Sequence, residues 1–196
     1  MNLLLDRAPT EVLISGKATP IEADYRASIR FEMLMQDEAV GDDERVLRGL
    51  YLYYNRIPEP IDQAVDQMLW FYRCGREDEE GTGNSKARGP IYSYDYDDQY
   101  IYAAFRDQYR INLQETPFLH WWEFRALFAG LKNDNEIIKI MGYRAMAIPT
   151  DLPKQQKEFY RKMKQLYALP LPPMEREKMK ALEEALENGG DLSELL

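Results

Sequence analysis

Thr116-Pro117-Phe118-Leu119-His120-Trp121-Trp122-Glu123-Phe124-Arg125-Ala126-Leu127-Phe128 is the stretch that decides the fold of this chain. Thr at a cap followed by Pro at the first helical position is a helix-start signal. Beyond that signal, apolar side chains fall on every side of a helix rather than on one stripe. A helix apolar all round is surrounded, so the spacing predicts a central post over Pro117 to Gly130 in a compact helical domain. Only His120, Glu123 and Arg125 interrupt its apolar surface.

Helical periodicity recurs on both sides of the post. Asp24 to Gln36 places Tyr25, Ile29 and Met33 at i, i+4, i+8. Gly41-Asp42-Asp43 caps a second helix with Val46, Leu47, Leu50, Tyr51 and Tyr54 on its apolar face. Pro58 and Pro60 part it from a third, with Ile61, Val65, Met68, Leu69 and Tyr72. Further helices are expected over Asp95 to Tyr109, Asn135 to Ala145 and Pro153 to Tyr167. Ahead of them, Glu11-Val12-Leu13-Ile14 and Ala18-Thr19-Pro20-Ile21 flank Ser15-Gly16-Lys17, a hairpin with glycine at the turn. Pro20 lacks a ladder donor, which makes its strand an edge. A lone hairpin is marginal in water, so it must lie against the helices.

Two segments break the pattern. From Gly75 to Pro90 the chain is charged and Gly-rich, with no aliphatic side chain larger than alanine before the proline. Such a stretch buries too little surface to offset its ordering entropy, and a mobile acidic loop is expected over 75–90. Leu169-Pro170-Leu171-Pro172-Pro173 reads as a stiff extended spacer. Met174 to Glu187 then forms a last amphipathic helix, stopped by Gly189-Gly190. The fold class is therefore mainly α: a helical domain with an N-terminal hairpin over residues 1–169, and a tethered helix within 170–196.

Bulk composition narrows the function. The chain has 196 residues, a formal net charge of -9 and a pI of about 4.8. This balance disfavours nucleic acid, since counterion release needs many Lys and Arg on one face. The aromatic run from Tyr92 to Tyr102 is interleaved with aspartate, which repels phosphate rather than offering a stacking groove. No apolar run is long enough for a membrane span or an export signal, and a cytosolic protein is expected. Cys74 is the single cysteine, which leaves no intrachain disulfide and no thiolate metal site.

No reaction centre stands out. His120 and Glu123 lie three apart, close enough to pair as an acid/base unit, but no nucleophile stands at sensible spacing, and a half-buried packing histidine is the preferred reading. Asp95, Asp97 and Asp98 gather carboxylates that suit a hard cation, yet they lie where acid caps a helix start, and capping is preferred. Neither a cofactor, a metal nor an enzymatic activity is expected. Lys154, Lys157, Arg161 and Lys164, spaced 3, 4 and 3 apart, form a basic face opposite an apolar one on the Pro153–Tyr167 helix. That face is either plain solvated surface or a patch for an acidic partner segment. Met179, Leu182 and Leu186 give the terminal helix an apolar face that needs a groove, its own or a partner's.

Several strings together resemble the bacteriophage Gp15 family. They are Trp70-Phe71-Tyr72-Arg73-Cys74-Gly75, Tyr100-Ile101-Tyr102-Ala103-Ala104-Phe105, Leu119 to Phe128, Lys139-Ile140-Met141-Gly142-Tyr143-Arg144, and Phe159-Tyr160-Arg161-Lys162-Met163-Lys164. The opening Leu4-Leu5-Asp6-Arg7 and the Gly16 hairpin also resemble that family's start. The resemblance covers residues 1 to about 170 and implies a role in tail morphogenesis of long-tailed phages and prophages of Gram-positive bacteria, because such genes lie just ahead of the tape-measure gene. It implies a tail assembly chaperone in the host cytoplasm. Its partners would be the tape-measure protein, tail-tube subunits and possible further copies of itself. The alternative it leaves open is a minor virion protein, a connector or tail-completion component. It implies no catalytic residues.

Overall fold

The computed structural model describes residues 2–76 and 89–170. Most of the predicted 75–90 loop, and the terminal segment with Met179, Leu182 and Leu186, lie outside the described residues.

The hairpin forms as β1 (Glu11–Ile14) and β2 (Lys17–Pro20), antiparallel, with Ile14 opposite Lys17 and Glu11 opposite Pro20. Ser15 and Gly16 alone make the turn, with φ of 49° and 73°. Two successive positive φ values match the right-handed twist of the strands, and they release Lys17 into β2. Val12 and Ile14 are buried while Glu11 and Leu13 are exposed, so one face packs inward. The Ser15 amide donates to Gln63 Oε1 at 2.7 Å, tying the turn to the third helix.

Seven helices follow among the described residues: α1 (Tyr25–Gln36), α2 (Asp42–Tyr53), α3 (Ile61–Tyr72), α4 (Asp98–Tyr109), α5 (Trp121–Ala129), α6 (Glu136–Ala145) and α7 (Lys154–Leu166). Asp24 caps α1, accepting from the Arg26 amide at 3.0 Å. The face that α1 buries is Tyr25, Ala27, Ser28 and Phe31, so Met33, expected inside, is exposed. On α2 the buried residues are Gly49, Leu50 and Tyr53, and Val46, Leu47 and Tyr51 face solvent. Both corrections have one cause. Gly49 lets the two helices close on each other, since a Cβ there would lie 3.0 Å from the Phe31 ring. The Tyr53 hydroxyl donates to the buried Ser28 hydroxyl at 2.8 Å, which fixes the rotation of both helices.

α5 begins at Trp121, four residues later than the Thr116-Pro117 signal predicts. Thr116 instead looks backwards, donating through Oγ1 to the Asn112 carbonyl at 2.8 Å. Residues 117–119 run extended beside the entry to α1. There the Tyr25 amide donates to the Leu119 carbonyl at 2.9 Å and the Trp121 amide to the Ala23 carbonyl at 2.8 Å. These longer-range bonds outcompete the local helix start. α5 then buries Trp121, Trp122, Phe124 and Phe128 but leaves Glu123, Ala126 and Ala129 in solvent. It is the post of the core, with one wet edge.

Around that post the core is aromatic. Phe124 stacks on Tyr25 and on Phe105 with centroids 4.9 Å away in each case. The Trp121 indole donates to the Tyr72 carbonyl and the Trp122 indole to the Phe71 carbonyl, both at 2.8 Å. The Tyr72 carbonyl thereby gains a partner inside the core, and the Phe71 carbonyl, which the Cys74 amide also reaches at 3.0 Å, gains a second.

Candidate partner-binding surface

α7 differs from every other helix, because none of its residues is buried. It hangs on α6, and α6 is held by a buried ion pair. Asp97, 1% exposed, accepts two hydrogen bonds from Arg144: Nη1 to Oδ2 at 2.6 Å and Nη2 to Oδ1 at 2.9 Å. The Ser93 amide adds a third at 2.9 Å. Asp97 stands at the N-cap of α4 without capping it through its side chain, so its part is an ion pair rather than the expected cap. No group of three or more His, Cys, Asp or Glu side chains among the described residues is placed to hold a metal ion.

Arg144 also donates from Nε to the Tyr167 carbonyl at 2.6 Å, pinning the end of α7. Lys164 returns the favour, giving its ammonium to the Arg144 and Met146 carbonyls at 3.1 and 2.7 Å. A cation over the last carbonyls of α6 is favoured by the helix dipole. Lys157 donates to the Thr150 carbonyl at 2.5 Å. The Tyr143 ring lies between Tyr167, stacked at 6.0 Å, and Phe159, edge-on at 6.3 Å.

The basic face expected from spacing is therefore divided. Lys157 and Lys164 turn inward as carbonyl ligands, whereas Lys154 and Arg161 remain in solvent. Lys154 makes only a loose pair with Glu158 at 3.9 Å. On the apolar face Tyr160, Met163 and Tyr167 are half-buried, while Phe159 is 49% and Leu166 63% exposed. Lysine stems reach backbone carbonyls 18 to 20 residues earlier in the chain, a contact that local spacing does not reveal. The result is an apolar strip, Phe159–Met163–Leu166, with Lys162 exposed on its flank and Arg161 exposed on the opposite face of the helix.

His120 is 8% exposed and fully engaged. Its Nδ1 accepts from the Trp122 amide at 3.0 Å and caps α5, so the proton belongs on Nε2, which lies 3.0 Å from the Pro9 carbonyl. Glu123 points to solvent, so the histidine is tied to backbone rather than to a carboxylate. With both ring nitrogens occupied, His120 offers a substrate nothing.

A second group gathers where α3, the 91–95 segment and α5 meet. The Tyr72 hydroxyl donates to Glu32 Oε2 at 2.7 Å, and Tyr92 packs edge-on against Tyr94 at 5.3 Å. Burial, reinforced by the Glu32 charge, pushes the Tyr92 phenol up to about 12. Burial likewise raises the Cys74 thiol, which keeps it protonated and weakly nucleophilic at neutral pH. A cleft of about 440 Å³ opens nearby between α1 and α4, walled by Tyr25, Ile29, Tyr94, Tyr102 and Phe124. Arg26 on its rim is already committed to Asp24 and to the Leu113 and Thr116 carbonyls. These groups tie the fold together and present no set of free acid, base and nucleophile.

An aromatic helical core thus carries one described helix, α7, that buries none of its own residues. Residues 4–169 match the family described as Bacteriophage Gp15 protein, and the chain belongs to that family. It is thus a phage-related protein. No curated protein and no solved structure gives a match. No helix among the described residues is long and apolar enough to cross a membrane.

Proposed function

We propose that this protein acts without catalysis in phage tail morphogenesis, as a tail assembly chaperone that keeps the tape-measure protein soluble in the host cytoplasm. The observation that carries this reading is α7. A helix that holds Phe159 and Leu166 in water on one face and Lys154 and Arg161 on the other has the composition of a surface made to meet an amphipathic partner. Lys154 and Arg161 are the basic contacts of that surface, and Lys157 and Lys164 hold the helix in place behind them. Met179, Leu182 and Leu186 add apolar contacts further along the chain. Shallow contacts of this kind are individually weak and can be displaced as tube subunits polymerise.

Co-expression with the tape-measure protein of the same phage tests the reading. Soluble co-elution from a sizing column is expected, with the tape measure insoluble when expressed alone. A tape measure that stays insoluble while this chain elutes as a discrete ring would instead support the connector or tail-completion role.

A further inference from the structure

The open strip of α7 has a match within the chain itself. Its apolar residues are Phe159, Met163 and Leu166, spaced 4 and 3. Beyond the proline spacer, Met179, Leu182 and Leu186 are spaced 3 and 4, the same interval reversed. Laid antiparallel, Leu166 falls level with Met179, Met163 with Leu182 and Phe159 with Leu186. The apolar spacing alone sets this register. The complementarity extends to the whole segments. α7 carries five basic side chains and one acidic one. Residues 174–196 carry seven acidic and three basic. The tether suits the path too, because residues 167–173 reach much further than the roughly 8–10 Å between packed helix axes.

We propose that residues 174–187 of this chain occupy the Phe159–Met163–Leu166 strip in the free protein, antiparallel and in this register. The partner surface assigned to α7 and the one assigned to Met179, Leu182 and Leu186 then cover each other until a partner separates them. This regulatory consequence rests on the chaperone reading, but the contact itself does not. Leu166, more than half exposed at the last turn of α7, is the first residue the segment meets on its return.

Oxidative cross-linking of the full chain tests the proposal without any partner present. In a Cys74→Ser background, Met163→Cys is paired with Leu182→Cys in register, or with Leu186→Cys one turn out of register. The in-register pair should close within the monomer, at a rate independent of protein concentration and several times faster than the other. Raising the salt concentration should slow closure by about threefold, in keeping with the opposite net charges of the two segments. Equal rates for the two pairs would overturn the register. Cross-links formed only between molecules, or none, would overturn the contact and leave α7 open to a second copy or a foreign partner. Neither result bears on tape-measure solubility, so failure here leaves that reading standing.

Discussion

α5 and α7 both carry aromatic side chains, and they are attached to the protein in opposite ways. α5 is held by its rings: Trp121 and Phe124 are fully buried, and two indole N–H groups reach the end of α3. α7 is held by its polar ends: Lys157, Lys164 and Arg144 link carbonyls across a surface where nothing is buried. Burial of large rings contributes a few kcal/mol each, whereas partly exposed hydrogen bonds contribute about 1. The first helix is therefore part of the global folding unit. The second is a part that can open while the core stays intact.

The sharpest way to break this contrast is in the core. Phe124→Ala removes a ring stacked on both Tyr25 and Phe105 and should cost about 3–5 kcal/mol, read by denaturant unfolding. A loss below about 1 kcal/mol would mean that α5 is not the post. Nearly as large is Arg144→Met, which strands the buried Asp97 carboxylate at about 3–5 kcal/mol and frees the end of α7 as well. Pairing it with Asp97→Leu should recover much of the stability but not the α7 contact.

Alkali should act on the core selectively. Burial lifts the Tyr54 phenol to about 12, and Tyr92 rises as far. The folded state keeps these protons more tightly than the unfolded chain, whose tyrosines titrate near 10. The stabilisation is therefore complete below pH 10 and is lost as pH climbs towards 12. The phenolate absorbance that develops between pH 10 and 12 should change together with circular dichroism, and Tyr54→Phe should move the onset upward. Full phenolate absorbance reached near pH 10 with the fold unchanged would contradict the burial.

Effects on α7 should be smaller and local. Lys164→Ala removes two carbonyl contacts and should open α7 by about 1 kcal/mol, seen as lost amide protection in 154–166 with the unfolding midpoint almost unmoved. Phe159→Ser with Leu166→Ser should change global stability by less than about 0.5 kcal/mol per site yet abolish tape-measure co-elution. Co-elution that survives this double change would place the contact elsewhere.

How far the sequence reached follows the same division between local and distant forces. The hairpin and all seven described helices were legible because strand alternation, helical periodicity and caps are local signals. The start of α5 was not, because Leu119 and Trp121 are drawn into backbone bonds with Tyr25 and Ala23, about 95 positions away. The buried faces of α1 and α2 were misjudged by a fraction of a turn, since Gly49 and the Tyr53–Ser28 bond set their rotation. Asp97 looked like a cap because its true partner, Arg144, lies 47 residues on. The basic residues of α7 were visible as a set. Which of them face carbonyls depends on where α6 ends, and no pattern inside α7 encodes that.

The stitching of α3 to α5 carries a consequence for how the protein is born. The Tyr72 carbonyl waits for the indole of Trp121, and the Phe71 carbonyl for its second donor, Trp122, both about 50 residues downstream. Likewise, the entry to α1 finds its backbone partners only at Leu119 and Trp121. At synthesis rates of about 5–20 residues per second, the first three helices stand on the ribosome for roughly 2 to 10 seconds with the Trp122 side of Phe71 uncovered. The amino-terminal third is thus a provisional structure in every newborn molecule, completed by a single pair of tryptophans arriving late.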